Sequence, residues 1–134
     1  MEILFERAGL PKPVSLAYPG GFSCERCIPI LKQFSYRCAR TNIHQFYRPE
    51  KYDIYNIPAF PVADKYPGMF QRVMEQIPEQ DGIAVLIYHG LPDQYPPCST
   101  SEKDFLEQMK ILKQKQIQVV SLKDFMDSSA TESF

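Results

Sequence analysis

Two short stretches hold groups able to do chemistry. Tyr18-Pro19-Gly20-Gly21 closes the apolar run Val14 to Tyr18, and His89-Gly90 follows the run IAVLIY from Ile83 to Tyr88. A histidine just past an apolar strand titrates near neutral pH and can serve as general acid or base; the plainer alternative is a histidine held by backbone hydrogen bonds. Gly20 and Gly21 present backbone N–H groups with no side chain in the way, which is what an oxyanion needs, although Pro-Gly-Gly alone is also an ordinary turn. Cys24 and Cys27 form a C-x-x-C pair, suited to redox exchange or to half of a zinc site. Cys38 and Cys98 stand singly, and His44 and His89 lack paired spacing, so no second ligand pair completes a zinc ribbon. Buried or reduced structural thiols are the expectation, ahead of a zinc or redox role. No carboxylate pair, H-x-x-x-H spacing, phosphate-binding glycine loop or G-x-S-x-G elbow occurs. Taken alone, these residues amount to half of an active site.

The elements that must position them alternate between strand and helix. Strands are expected at Val14–Tyr18, Arg37–Thr41, Ile83–Tyr88 and Ile117–Val120. Helices are expected over Met1–Ala8, Glu25–Phe34 with Pro29 in its first turn, Met69–Ile77, and from the caps Ser99-Thr100-Ser101 to about Gln114. Residues 42–66 read as a long irregular stretch rich in Tyr and Pro, and Leu122–Met126 as a short turn before a frayed tail. Strands apolar throughout imply a parallel sheet buried on both faces, the α/β class.

Composition narrows the partners. Fifteen Lys plus Arg against sixteen Asp plus Glu leave a net charge of −1, which supplies no electrostatic footprint for nucleic acid or an anionic membrane. No apolar run approaches membrane-spanning length, and MEILFERAGL has no signal-peptide pattern.

Read in order, the segments SLAYPGGFSCERCIPILKQFSYRCART and AVLIYHGLPDQYPPCSTSEKDFLEQMKILKQKQIQVVSLKDF resemble the C-terminal half of the polysaccharide deacetylases, the NodB-type carbohydrate esterases. The first is similar to that family's strand, Tyr-Pro-Gly loop, helix and Ala-Arg-Thr strand. The second is similar to its Ile/Leu-x-His strand, F-x-x-x-M-x-x-L helix and closing V-V-S-L-x-D. The resemblance implies an α/β fold, a partial (β/α) barrel of the glycoside hydrolase/deacetylase type with parallel strands. Residues 1–126 would be its C-terminal portion and 127–134 the frayed tail. A complete barrel takes about 250 residues and rarely fewer than about 200, so 134 residues hold only part of one.

The family's chemistry is removal of N- or O-acetyl groups from sugars, with water activated on a divalent metal, commonly zinc, held by an Asp and two His. Carried over by position, His89 is the acid that protonates the leaving group, Ile87 the apolar residue beside the acetyl methyl, and Gly20 the donor of a backbone N–H to the oxyanion. Tyr18, at the head of the loop, falls with the substrate-binding residues. Ala17 stands where the family has Arg, Gly20 where it has Tyr, and the chain has no Trp. The Asp and His-His motifs are expected before Met1, so the resemblance implies no metal or other cofactor in this chain and no deacetylase activity from it alone. The implied ligand is an acetylated sugar polymer or oligosaccharide, and an open sheet edge would favour homo-oligomers. An alternative is a short non-catalytic carbohydrate-binding or interaction module, with the Tyr47–Tyr66 segment stacking on sugar rings. A cysteine-based redox or zinc protein is a third.

Overall fold

The computed structural model describes residues 2–79, 82–91 and 98–129. In chain order the elements are α1 (Glu2–Arg7), β1 (Ser15–Ala17), α2 (Ile28–Gln33), β2 (Cys38–Arg40), β3 (Phe60–Pro61), α3 (Met69–Gln76), β4 (Leu86–Ile87), α4 (Glu102–Gln114) and α5 (Leu122–Ser129). They divide between two compact units. The first comprises Met1–Thr41, Asp53–Ile57 and Val120–Phe134; the second comprises Asn42–Tyr52 and Pro58–Val119.

In the first unit β1 and β2 pair in parallel, with Ser15, Leu16 and Ala17 opposite Cys38, Ala39 and Arg40. Parallel strands need a crossover, supplied here by a 3-10 turn at Glu25–Cys27 running into α2, with Pro29 at the start of the helix. There its missing N–H costs no intrahelical bond. The core is Tyr18, Leu31, Ala39 and Tyr55, with Leu16, Cys24, Cys27, Ile28 and Tyr36 packed against it. Tyr55 is fixed twice: Asp53 accepts its backbone N–H at 2.7 Å, and its hydroxyl donates to the Tyr36 carbonyl at 2.8 Å. Ile57 pairs beyond β2, exchanging backbone bonds with Ala39 and Thr41. Arg37 bonds to the Met126 carbonyl and pairs with Asp127, which ties α5 to this unit. The helix α5 thus continues three residues past the short turn expected at Leu122–Met126.

The second unit has its own parallel pair, Phe60 and Pro61 against Leu86 and Ile87. Its core is Phe46, Phe60, Val62, Met69, Phe70, Val73, Met74 and Leu112. Met69, Phe70, Val73 and Met74 fall on one face of α3 because residues three to four apart meet on a helix surface. Ser101 caps α4, accepting the Asp104 N–H at 3.0 Å. Leu112 is buried on α4 while Leu106 is half exposed.

Three strand expectations change. The ladder at β4 covers only Leu86–Ile87, although Ile83 joins an antiparallel bridge with Tyr47. β3 arises inside the stretch expected to be irregular. Residues 117–120 form no strand, and Val119 and Val120 lie exposed, because no described segment pairs with them.

Candidate functional site

In the first unit, the turn after β1 is built by Tyr18. Its N–H donates to the Arg40 carbonyl at 3.1 Å, which extends the β1–β2 ladder, and its own carbonyl accepts the Gly21 N–H at 2.9 Å. The Tyr18 ring is buried in the core, so its part in the site is to hold the turn. Its hydroxyl finds no hydrogen-bond partner among the described residues. Burial, reinforced by Asp53, pushes its pKa up, while the neighbouring Cys24 backbone amide acts in the opposite sense. Gly20 has φ +69, a left-handed conformation. A Cβ there would lie 3.5 Å from the Phe22 ring, ordinary contact, so handedness and not space demands the glycine. Gly20 is exposed, and its N–H carries no side chain to obstruct a ligand.

Arg40 was not among the residues singled out from sequence. It lies in register with Ala17 at the carboxyl end of the parallel pair. Its side chain is half-buried and makes no hydrogen bond or ion pair among the described residues, and burial lowers its pKa. A lone charge in an otherwise apolar strand was the available signal.

In the second unit, Ala84, Leu86 and Tyr88 pack on the core. Ile87 is the last residue of β4, and His89 follows two residues on, past the end of the strand. Ile87 is buried and its carbonyl accepts the Val62 N–H at 2.8 Å; His89 is exposed, followed by Gly90 at φ +51. Tyr88 anchors this strand end. Its hydroxyl donates to Gln108 at 2.7 Å, its ring meets Phe105 edge-on at 5.1 Å, and burial pushes its pKa up to about 12. The structure thus groups Tyr18 with Gly20 in the first unit and Ile87 with His89 in the second.

A cavity of about 390 Å³, also unmarked in the sequence, opens in the second unit at the carboxyl end of β3, with Asp64, Tyr66, Asp104, Glu107 and Gln108 on its walls. Of the tyrosines expected to stack on sugar, Tyr47 and Tyr55 are buried and Tyr66 lines this cavity, its ring edge-on to His44 at 5.4 Å. The chain has two histidines. Among the described residues no three His, Cys, Asp or Glu side chains converge as a metal site. The donors present do not fit the Asp and two His of the resemblance. Cys24 and Cys27, expected as buried or reduced structural thiols, form a disulfide, while Cys38 is a buried free thiol and Cys98 a half-buried one.

Comparisons with protein-family models, curated proteins and solved structures find no match to this chain.

Proposed function

We propose that this chain carries the proton-donating and acyl-contacting part of a carbohydrate deacetylase site, with an acetylated sugar as its ligand. The observation that supports the reading is the placement of Ile87 in β4, a strand paired in parallel, with an exposed His89 two residues past its carboxyl end. Carboxyl ends of parallel strands are where α/β folds bind ligands. His89 donates a proton to the nitrogen or oxygen that leaves the acyl carbon, which makes a poor leaving group a neutral one. Ile87 gives the acyl methyl an apolar contact. The resemblance to the NodB-type esterases gives His89 and Ile87 a common purpose.

The test is titration of the labelled chain with N-acetylated chitooligosaccharide, followed at the Ile87 methyl and His89 ring signals by NMR. Both signals move, and the deacetylated oligosaccharide leaves the Ile87 methyl unshifted. No movement at either residue up to the solubility limit of the sugar sinks the reading. Acetate release by the chain alone, lost on chelation, would overturn its restriction to half a site.

A second reading, a non-catalytic carbohydrate-binding module, is favoured by the cavity, where the Tyr66 ring lies among the acceptors Asp64, Asp104 and Glu107. Under it Tyr66→Ala abolishes sugar binding and His89→Ala does not. The deacetylase reading expects the reverse.

A further inference from the structure

Cys24 and Cys27 lie with Cα atoms 5.2 Å apart, a separation a disulfide accommodates without backbone movement. The cross-link closes a short loop, a single turn in which the Cys27 N–H already donates to the Cys24 carbonyl at 2.9 Å. A bridge between residues three apart removes little freedom from the unfolded chain. The first unit has its parallel ladder and its Tyr18, Leu31, Ala39 and Tyr55 core without it. Both sulfur-bearing residues are only half-buried. Cys38 is the opposite case: fully buried, with burial raising its thiol pKa, it is held as an unreactive thiol. The chain therefore separates an accessible cross-linked pair from a sealed thiol.

The pair also has something to act on. It packs against the cluster of Tyr18, Leu31, Ala39 and Tyr55, and the Tyr18 hydroxyl has no hydrogen-bond partner among the described residues. Between the pair and Tyr18 lie only Pro19, Gly20, Gly21, Phe22 and Ser23, all half-buried or exposed.

We propose that Cys24 and Cys27 form a thiol–disulfide exchange site whose co-reactant is a dithiol, and that its oxidation state sets the conformation of the Tyr18–Cys27 segment. A reductant thiolate attacks one sulfur of the bridge and displaces the other as a thiolate, giving a mixed disulfide. The second reductant thiol then closes on the first, releasing the remaining protein sulfur. Two electrons and two protons pass to the chain, and the reductant leaves as its own disulfide. The inference goes beyond the carbohydrate reading and does not depend on it.

The experiment equilibrates the whole chain in buffers of reduced and oxidised dithiothreitol, traps free thiols by alkylation, and counts them by mass while NMR follows the backbone amides. A Cys98→Ser background removes the other half-buried thiol. The expected result is a reversible gain of two alkylated cysteines, Cys24 and Cys27. Amide shifts concentrate between Tyr18 and Ile28, and circular dichroism stays unchanged. Repeating the titration with a C-x-x-C protein dithiol, then with the monothiol glutathione, tests the co-reactant; faster exchange with the protein dithiol than with glutathione supports a dithiol partner, and equal rates overturn that assignment. Three results overturn the proposal: the pair stays reduced under full oxidation, it opens only when the chain unfolds, or it opens without shifting Tyr18 to Gly21. Cys24→Ser/Cys27→Ser should reproduce the reduced spectrum; should that variant not fold, the titration of the native pair decides.

Discussion

Two helices end on a residue that carries a penalty. The terminus of α1 shows the favourable form of the motif: Gly9 is left-handed at φ +66, its N–H bonds to the Glu6 carbonyl, and the Leu10 N–H bonds back to Phe5. α2 and α4 repeat this geometry with Ser35 at φ +62 and Gln116 at φ +54. The Ser35 and Gln116 N–H groups bond to Lys32 and Lys113, and the next amides, of Tyr36 and Ile117, reach back to Leu31 and Leu112. In each case the apolar residue after the cap joins the core that its acceptor residue belongs to. A non-glycine L-residue in this region costs about 1–2 kcal/mol, against about 0.5–1 kcal/mol of extra unfolded-state entropy for glycine. Ser35→Gly and Gln116→Gly should therefore each stabilise the chain by about 0.5–1 kcal/mol, the balance of those two terms. For a chain of this size that is a rise in Tm of roughly 2–5 °C. The two caps share no hydrogen-bond partner, so the double variant should add. Urea unfolding checks this through the midpoint at constant slope. Gly68→Ala is the control: Gly68 has φ +71 and nothing within 4 Å of a Cβ, so the same two backbone terms apply in reverse, a loss of about 0.5–1 kcal/mol. An unchanged or lower midpoint in either glycine variant would refute the argument.

Phe70, 1% exposed at the centre of the second core, should cost about 3–5 kcal/mol as Phe70→Ala, read as a large fall in urea midpoint. Burial raises the pKa of Tyr18, Tyr55 and Tyr88 above the usual 10.0. The folded chain then holds phenol protons that the unfolded chain releases, so stability is full below pH 10 and falls as pH rises towards the folded values, about 12 for Tyr88. Chemical denaturation across that range should show this slope, reduced in Tyr88→Phe. Val119 and Val120, exposed at 69% and 50%, should promote self-association, and Val119→Lys/Val120→Lys should lower it in sedimentation.

Much of the element order could be read from apolar runs and their punctuation. The runs around Leu16, Ala39 and Ile87 mark real strands, and Ser101 marks the start of α4. β3 was hidden by proline. Pro58 and Pro61 argue against a strand, yet Phe60 and Val62 donate the bonds to Val85 and Ile87, so the missing N–H of Pro61 falls on the side this ladder does not use. Residues 117–120 erred the other way, since β-branched composition speaks for a strand but cannot supply a partner. Of the candidate site, His89 and Gly20 were visible as residues at strand ends, while Ile87 came only through the resemblance. The burial of the Tyr18 ring, the half-buried Arg40 and the Cys24–Cys27 bond depend on what folds against them, which no local pattern records.

The order in which the chain is used has a consequence for its synthesis. The first unit takes its segments from residues before Thr41, from Asp53–Ile57, and again from Val120 onwards. Arg37 therefore waits for Met126 and Asp127, almost a whole chain later, to receive its hydrogen bonds. On the ribosome, β1, α2 and β2 emerge long before α5 exists, while every segment of the second unit has already been made. Folding during translation should complete the second unit first, leaving the Tyr18–Arg40 region without α5 until Leu122–Ser129 has been made.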